Sequence, residues 1–225
     1  MKKQLLPLLM ATLAISSCTI DYYEKGEGDY SLLQAEFANA HVNSQKQIDY
    51  VETDNGEQLH ISEPVTREWA KTSDRFYRCM FYYKKNEASV EVVSIGQVSE
   101  IGITPTDTLK KRNIEVKTDP LTLESIWVSK NKRYLNASIY LKTGSTSDPD
   151  AIHKMGLVGD SIRKNADNTK TFCLRLRHDQ GGMPEHYSVN TFFSLPLKDI
   201  SIVVDSIQLT INTYDGIVTK TFAIK

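Results

Sequence analysis

The sequence predicts an all-β protein in two parts, a small closed barrel followed by an immunoglobulin-like β-sandwich, behind an N-terminal export signal. Three observations predict it. Apolar residues alternate with polar ones at period two through many short runs, as half-buried strands require. Turn dipeptides suited to hairpins, Asn55-Gly56 and Asp215-Gly216, stand between such runs. After the export signal, no stretch joins a helix cap to an apolar stripe at helical spacing.

The chain opens with Lys2 and Lys3, then an apolar run over 5–15 that contains Pro7, then Ile15-Ser16-Ser17-Cys18. That run is well short of the roughly 20 residues a helix needs to cross a bilayer, so residues 1–17 read as a signal peptide. Small residues directly before a cysteine resemble the bacterial lipobox, which implies diacylglycerol on the Cys18 thiol, cleavage before it and acylation of the new amino terminus. Several acyl chains hold a protein at a membrane where one would not. Residues 18–30 then form a lipidated flexible stalk, because they mix acids with glycine and lack apolar periodicity. Asp21, Glu24, Glu27 and Asp29 disfavour lying flat on an anionic surface.

Residues 31–101 read as the barrel. Leu33, Ala35 and Phe37 share one face, although Leu33, Phe37 and Ala40 also fit a helix. Ile48, Tyr50 and Val51, the Asn55-Gly56 turn, and Leu59 with Ile61 make a hairpin. Over 75–84, Tyr77, Cys79, Phe81 and Tyr83 alternate with Phe76, Arg78, Met80 and Tyr82, which makes Cys79 a core thiol. Val90, Val92 and Val93 return the chain, and 97–101 is read as a further strand of this sheet. Closure is how so short a sheet hides its edges.

Gly102, Pro105 and the run Lys110-Lys111-Arg112 break the rhythm, so 102–117 reads as a linker. Residues 118–225 hold seven strand-like runs with turn signals at sandwich spacing. Trp127 takes core parity with Leu121 and Leu123; Leu135, Ala137, Ile139 and Leu141 form the next strand. Runs around 153–162, 172–176, 187–197, 202–214 and 217–224 follow. Cys173 shares its face with Arg175 and Arg177 and is expected to be more exposed than Cys79. Lys220 falls on the apolar parity of Val218 and Phe222, which requires either an edge strand with a guarding charge or a bulge.

The formal net charge is −1 at pH 7, and loss of a leader with two lysines and no acid makes the mature chain more negative. That excludes a nucleic-acid partner, since the basic clusters are too short to track a phosphate backbone. With Cys18 acylated, only Cys79 and Cys173 remain, and each sits in its own strand, so two free thiols are expected.

Three constellations invite chemistry. His178-Asp179 and Glu185-His186 flank one turn, but parity sends the two imidazoles to opposite faces, so no metal is assigned. Gly159-Asp160-Ser161 and Asp150 with His153 echo serine-esterase blocks in reversed order on a β scaffold, and no catalytic residue is assigned. Trp69, in a loop of the barrel, is the candidate ligand-binding residue, as one platform for stacking a sugar. No cofactor is indicated.

From the lipobox to the C-terminus, the chain resembles the NigD-like lipoproteins of the Bacteroidetes. The resemblance rests on Ile15 to Cys18, the block starting Tyr30-Ser-Leu-Leu, the segment 119–129 around Trp127, the strand from Tyr134, the Arg-His-Asp-Gln-Gly-Gly turn at 177–182, and Val203-Val-Asp-Ser-Ile with Tyr214-Asp-Gly. It implies an N-terminal oligonucleotide/oligosaccharide-binding (OB) type barrel, a C-terminal sandwich and a lipid anchor at the outer membrane of a Gram-negative envelope. The family takes its name from a bacteriocin operon, which implies a role in immunity or export, and brings no catalytic motif. The expectation is a non-enzymatic envelope lipoprotein that binds a protein or peptide partner, as an immunity-like protein or an accessory to an outer-membrane complex. A glycan-binding lipoprotein is the alternative, and a hydrolase is disfavoured by the geometry above.

Overall fold

The computed structural model describes residues 32–86, 88–200 and 202–224. The expected signal peptide at 1–17, Cys18 and the expected stalk over 18–30 lie outside the described residues.

Five strands close the barrel: β1 (Leu33–Val42), β2 (Ile48–Thr53), β3 (Gln58–Val65), β4 (Arg75–Lys85) and β5 (Val90–Gln97), in the order β1-β2-β3-β5-β4 with β4 returning to β1. All neighbours are antiparallel except β3 and β5, which meet in parallel at Ile61 and Val90. Pairing of β1 on both sides settles the ambiguous segment as strand, because helix formation would leave both neighbours without partners. The alternation along β4 is as expected at its centre: Cys79, Phe81 and Tyr83 are fully buried, with the rings of Phe81 and Tyr83 stacked at 4.8 Å. Burial pushes the Cys79 thiol up to about 12, so it stays protonated and packs as a small apolar group.

One expectation fails just after the barrel. The stretch 97–101 adds no barrel strand; β6 (Ser99–Glu100) instead pairs in parallel with Phe193 and Ser194 of the sandwich. The physical reason is closure: β4 already pairs with both β1 and β5, so no free edge faces residue 97. The stretch 102–117, expected as a linker, carries regular structure. It holds β7 (Ile103–Pro105) and a short helix, α1 (Thr106–Lys111), whose Leu109 is buried. A helix of six residues is too short to display an apolar stripe, and this one begins directly after Pro105.

The remaining strands are β8 (Thr122–Val128), β9 (Tyr134–Thr143), β10 (Lys154–Lys164), β11 (Lys170–Asp179), β12 (Tyr187–Pro196), β13 (Ser206–Thr213) and β14 (Gly216–Ala223), with a 3-10 turn at Leu197–Asp199. They form a sandwich of one five-stranded sheet, β14-β13-β11-β10-β7, and one four-stranded sheet, β6-β12-β9-β8. Both sheets are mixed, since β7 runs parallel to β10, β13 to β11 and β6 to β12. Leu135, Ile139, Phe193 and Leu195 from one sheet meet Leu157, Leu174, Leu176 and Ile207 from the other in one core. Strand β14 is an edge in continuous register with β13, so Lys220 is a guarding charge and no bulge is needed. Cys173 is half-buried and Cys79 buried, and both are free thiols. Barrel and sandwich belong to one compact unit, Leu33–Lys225.

Candidate functional site

The barrel meets the sandwich around a buried charge. Arg78 lies on the outward parity of β4, yet it is only 2% exposed because the four-stranded sheet covers that face. A guanidinium withdrawn from water must be compensated by an opposite charge and by hydrogen bonds. Asp54, in the β2–β3 turn, accepts from Nη1 at 2.7 Å and from Nη2 at 2.6 Å. Nη2 also donates to Asn136 Oδ1 at 3.0 Å, and Nε donates to Ser194 Oγ at 3.1 Å. Asn136 Nδ2 donates to Asp54 Oδ2 at 2.8 Å, and the Tyr134 ring lies 3.9 Å from the guanidinium carbon. Each half of the molecule therefore supplies part of one network, which the β8–β9 turn reinforces: Asn131 N donates to the Asp54 carbonyl at 2.9 Å, and Arg133 pairs with Glu52 at 2.8 Å.

Beside this lock lies a cleft of about 710 Å³. Its apolar wall is made by Phe37 of β1 with Trp127 of β8 and Phe192 of β12, packed edge to face at 5.2 and 5.4 Å. Two carboxylates flank that wall. Glu36 accepts from the Tyr83 hydroxyl at 2.8 Å and from Asn55 Nδ2 at 3.0 Å. Glu124 accepts from Asn190 Nδ2 at 3.1 Å, from the Tyr140 hydroxyl at 3.3 Å and, through a short contact, from Ser138. Burial first, and then the Glu36 carboxylate, push the Tyr83 phenol up, so it remains a donor. These partners orient both carboxylates without neutralising them, since every one is an uncharged donor. Lys130 is the one basic side chain among the cleft's lining residues. Oriented anions beside aromatic faces suit a cation, and above all the side chain of a lysine or arginine.

Sequence reasoning missed this site for one local reason. Trp127 was expected in the core, but the β8–β9 register slips between Leu123 and Ser125, opposite Ile139 and Ser138. A bulge at Glu124 reverses the parity beyond it, so Ile126 is buried in the core while Trp127 turns to the cleft.

The residues singled out from sequence lie elsewhere. Trp69, between β3 and β4, is half-buried, packs against the barrel core and sets its ring at 6.0 Å from Tyr77, edge to face. His178 is buried and His186 exposed, and their neighbours face other partners: Asp179 pairs with Lys117 at 3.1 Å and Glu185 with Lys142 at 3.2 Å. Among the described residues, no group of three or more His, Cys, Asp or Glu side chains is placed to hold a metal ion. Ser161 pairs with Cys173, whereas His153 precedes the other end of β10, so the serine and histidine are separated by most of an eleven-residue strand. Asp160 is committed to Arg175 at 2.8 Å and to the Thr106 hydroxyl at 2.9 Å.

His153 instead meets His178. The Asp119 carbonyl lies 2.9 Å from His178 Nδ1 and must accept from it, which leaves Nε2 of neutral His178 to accept from His153 Nδ1 at 3.1 Å. Nε2 of His153 is then a buried acceptor without a hydrogen-bond partner among the described residues. Burial and then the neighbouring His178 hold His153 below the ordinary histidine range, against a smaller opposing effect of the Lys142 backbone.

Comparison with known proteins places these features in context. Residues 103–224 match the NigD-like C-terminal beta sandwich domain. No curated protein matches the chain. Among solved structures, a NigD-like immunity protein from Bacteroides caccae superposes with a TM-score of 0.64 at 21% identity, covering 85% of this chain and 97% of its own. A candidate toxin-related protein from Parabacteroides distasonis gives 0.58 at 15% identity, covering 84% and 92%. A candidate lipoprotein from Bacteroides fragilis gives 0.58 at 14% identity, covering 86% and 98%. At these identities the likeness is one of fold, and it spans both the barrel and the sandwich.

Proposed function

The chain belongs to the family defined by the NigD-like C-terminal β-sandwich, and from that premise we propose that it is a non-enzymatic, lipid-anchored envelope protein that binds a protein partner. The observation that carries this reading is the cleft between barrel and sandwich, where Glu36 and Glu124 are oriented by neutral donors beside the Phe37–Trp127–Phe192 wall. Such a cleft suits a basic segment of a partner, with the carboxylates meeting its charge and the rings its aliphatic stem. Fold similarity to proteins described as a NigD-like immunity protein and a candidate toxin-related protein supports an immunity-like role for that binding. The Ile15–Cys18 motif and the likeness to a candidate lipoprotein support anchoring through Cys18, at the outer membrane.

The test is capture of partners from an envelope extract by the full, detergent-solubilised chain, compared with Glu36→Gln/Glu124→Gln, Trp127→Ala and Trp69→Ala. A specific protein partner should be retained by Trp69→Ala and weakened at least about tenfold by each of the other two, with binding falling as salt rises. Recovery of a glycan that is lost with Trp69→Ala would replace this reading with the glycan-binding one.

A further inference from the structure

The sheet edges of this molecule are not equally protected. A strand edge with free backbone groups invites another strand, and proteins blunt such edges with charges, bulges or short stubs. The barrel closes between β3 and β5 at Ile61 and Val90, and beyond that pair β3 carries Glu63 and Pro64 while β5 carries Glu91 and a bulge. In the sandwich, β14 carries Lys220. Strand β8 carries Glu124 and a bulge, and β10 beyond its partner β7 carries Asp160, Arg163 and Lys164 together with a bulge. Strand β12 is the exception. The two-residue stub β6 covers only Phe193 and Ser194, and the uncovered run Tyr187-Ser188-Val189-Asn190-Thr191-Phe192 holds no charge, no proline and no break in its register with β9.

The side chains along that run are wrongly placed for a solvent-facing edge. Tyr187 and Val189 share the parity of Phe193 and Leu195, which are buried in the core, yet they are 55% and 45% exposed. The inward face of the sheet thus extends past the point where its own second layer covers it.

We propose that this run pairs antiparallel with the same run of a second copy, about a two-fold axis at Val189. Directly opposed residues of an antiparallel pair lie on one face, so a two-fold register must centre on one residue. Centring on Asn190 would bring Tyr187 opposite Phe193, where Ser99 of β6 already sits. Centring on Val189 uses the open run and stops short of the stub. It sets Val189 against Val189, Tyr187 against Thr191 and Ser188 against Asn190, all of them uncharged, with aromatic and β-branched pairs on the inward face. The chain's own β6 occupies the end of the same edge by parallel strand addition, and the second copy adds antiparallel along the run that β6 leaves open.

The test uses the full chain in membranes with Val189→Cys, since opposed cross-strand Cβ atoms lie roughly 4.5–5.5 Å apart, within a small adjustment of a disulfide. Under mild oxidation Val189→Cys should give a covalent dimer. Wild type and Val203→Cys should not, although Val203 is 76% exposed. A mixture of Tyr187→Cys and Thr191→Cys chains should cross-link as heterodimers. In detergent, light scattering should give a dimer mass for wild type and a monomer mass for Val189→Lys, a substitution on an exposed position that leaves the core intact. A monomeric wild type, or equal cross-linking at 189 and 203, would overturn the proposal. Cross-linking of Val189→Cys to a different envelope protein would also overturn it, and would assign the edge to a strand donated by that partner.

Discussion

Two buried polar clusters hold this molecule together on different terms. At the junction, Arg78 carries a permanent charge, and its contacts with Asp54, Asn39, Asn136 and Ser194 engage all five of its N–H donors. At the other cluster, beside the turn that follows β11, His153 and His178 share one hydrogen bond, and His153 Nε2 is buried without a hydrogen-bond partner among the described residues. A guanidinium keeps its proton, whereas the imidazole pair includes His153, a buried ring that can gain one. The first joins two halves of the fold; the second closes a loop. Their failures should differ in size and in what triggers them.

Breaking the junction gives the largest effect. Asp54→Ala removes the carboxylate and leaves Arg78 buried without its counter-charge, which costs about 3–5 kcal/mol. Chemical denaturation should show this as a lower midpoint, and as an earlier loss of contact between barrel and sandwich than of either core. Arg78→Met combined with Asp54→Leu should recover part of the loss, because it removes the buried charges together.

How far the sequence made these regions legible follows from the same contrast. Parity placed Cys79, Phe81 and Tyr83 inside the barrel, since nothing interrupts β4 between them and the neighbouring β1 register is continuous. Asn55-Gly56 and Asp215-Gly216 marked real hairpins, because both glycines take the positive φ those turns need, at 89° and 113°. Both polar clusters were hidden. Arg78 reads as solvent-facing until the sandwich is known to cover that face. The bulge at Glu124 turned Trp127 outward, and a second bulge between Gly159 and Ser161 shifts the β10–β11 register, in which Met155 lies across from His178. Period-two reasoning fails wherever one residue is inserted into a ladder.

A smaller effect should come from the loop that positions the histidines. Gly181 has φ of +60°, and a Cβ there would lie 1.9 Å from the Ile152 carbonyl oxygen, one residue before His153. Ile152 N also donates to the Gly181 carbonyl at 3.2 Å, so the two turns are tied together. Gly181→Ala must displace that backbone as well as adopt a left-handed conformation, for a cost of about 1–3 kcal/mol. Loss of protection from hydrogen exchange should be confined to the segment 148–153 and the turn at 180–184, with the junction unaffected.

The smallest effect separates the clusters by pH. The folded state holds His153 below its ordinary value, chiefly through burial and then through His178, so between that depressed value and about 6.5 the unfolded chain binds more protons than the folded one. Stability therefore rises with pH through this window. The contribution of neutral His153 is complete above about pH 6.5 and is lost as pH falls toward the folded value. The geometry gives the sign independently. Protonated His153 carries an added N–H on Nε2, a buried atom without a hydrogen-bond partner among the described residues. The denaturation midpoint of wild type should accordingly fall from pH 7 to pH 5.5. His153→Phe should flatten that slope while lowering stability at pH 7 through its lost bond to His178, whereas Asp54→Ala should lower stability at both values and leave the slope in place. A slope unchanged by His153→Phe would assign the acid sensitivity to other groups and reduce the histidine pair to packing alone.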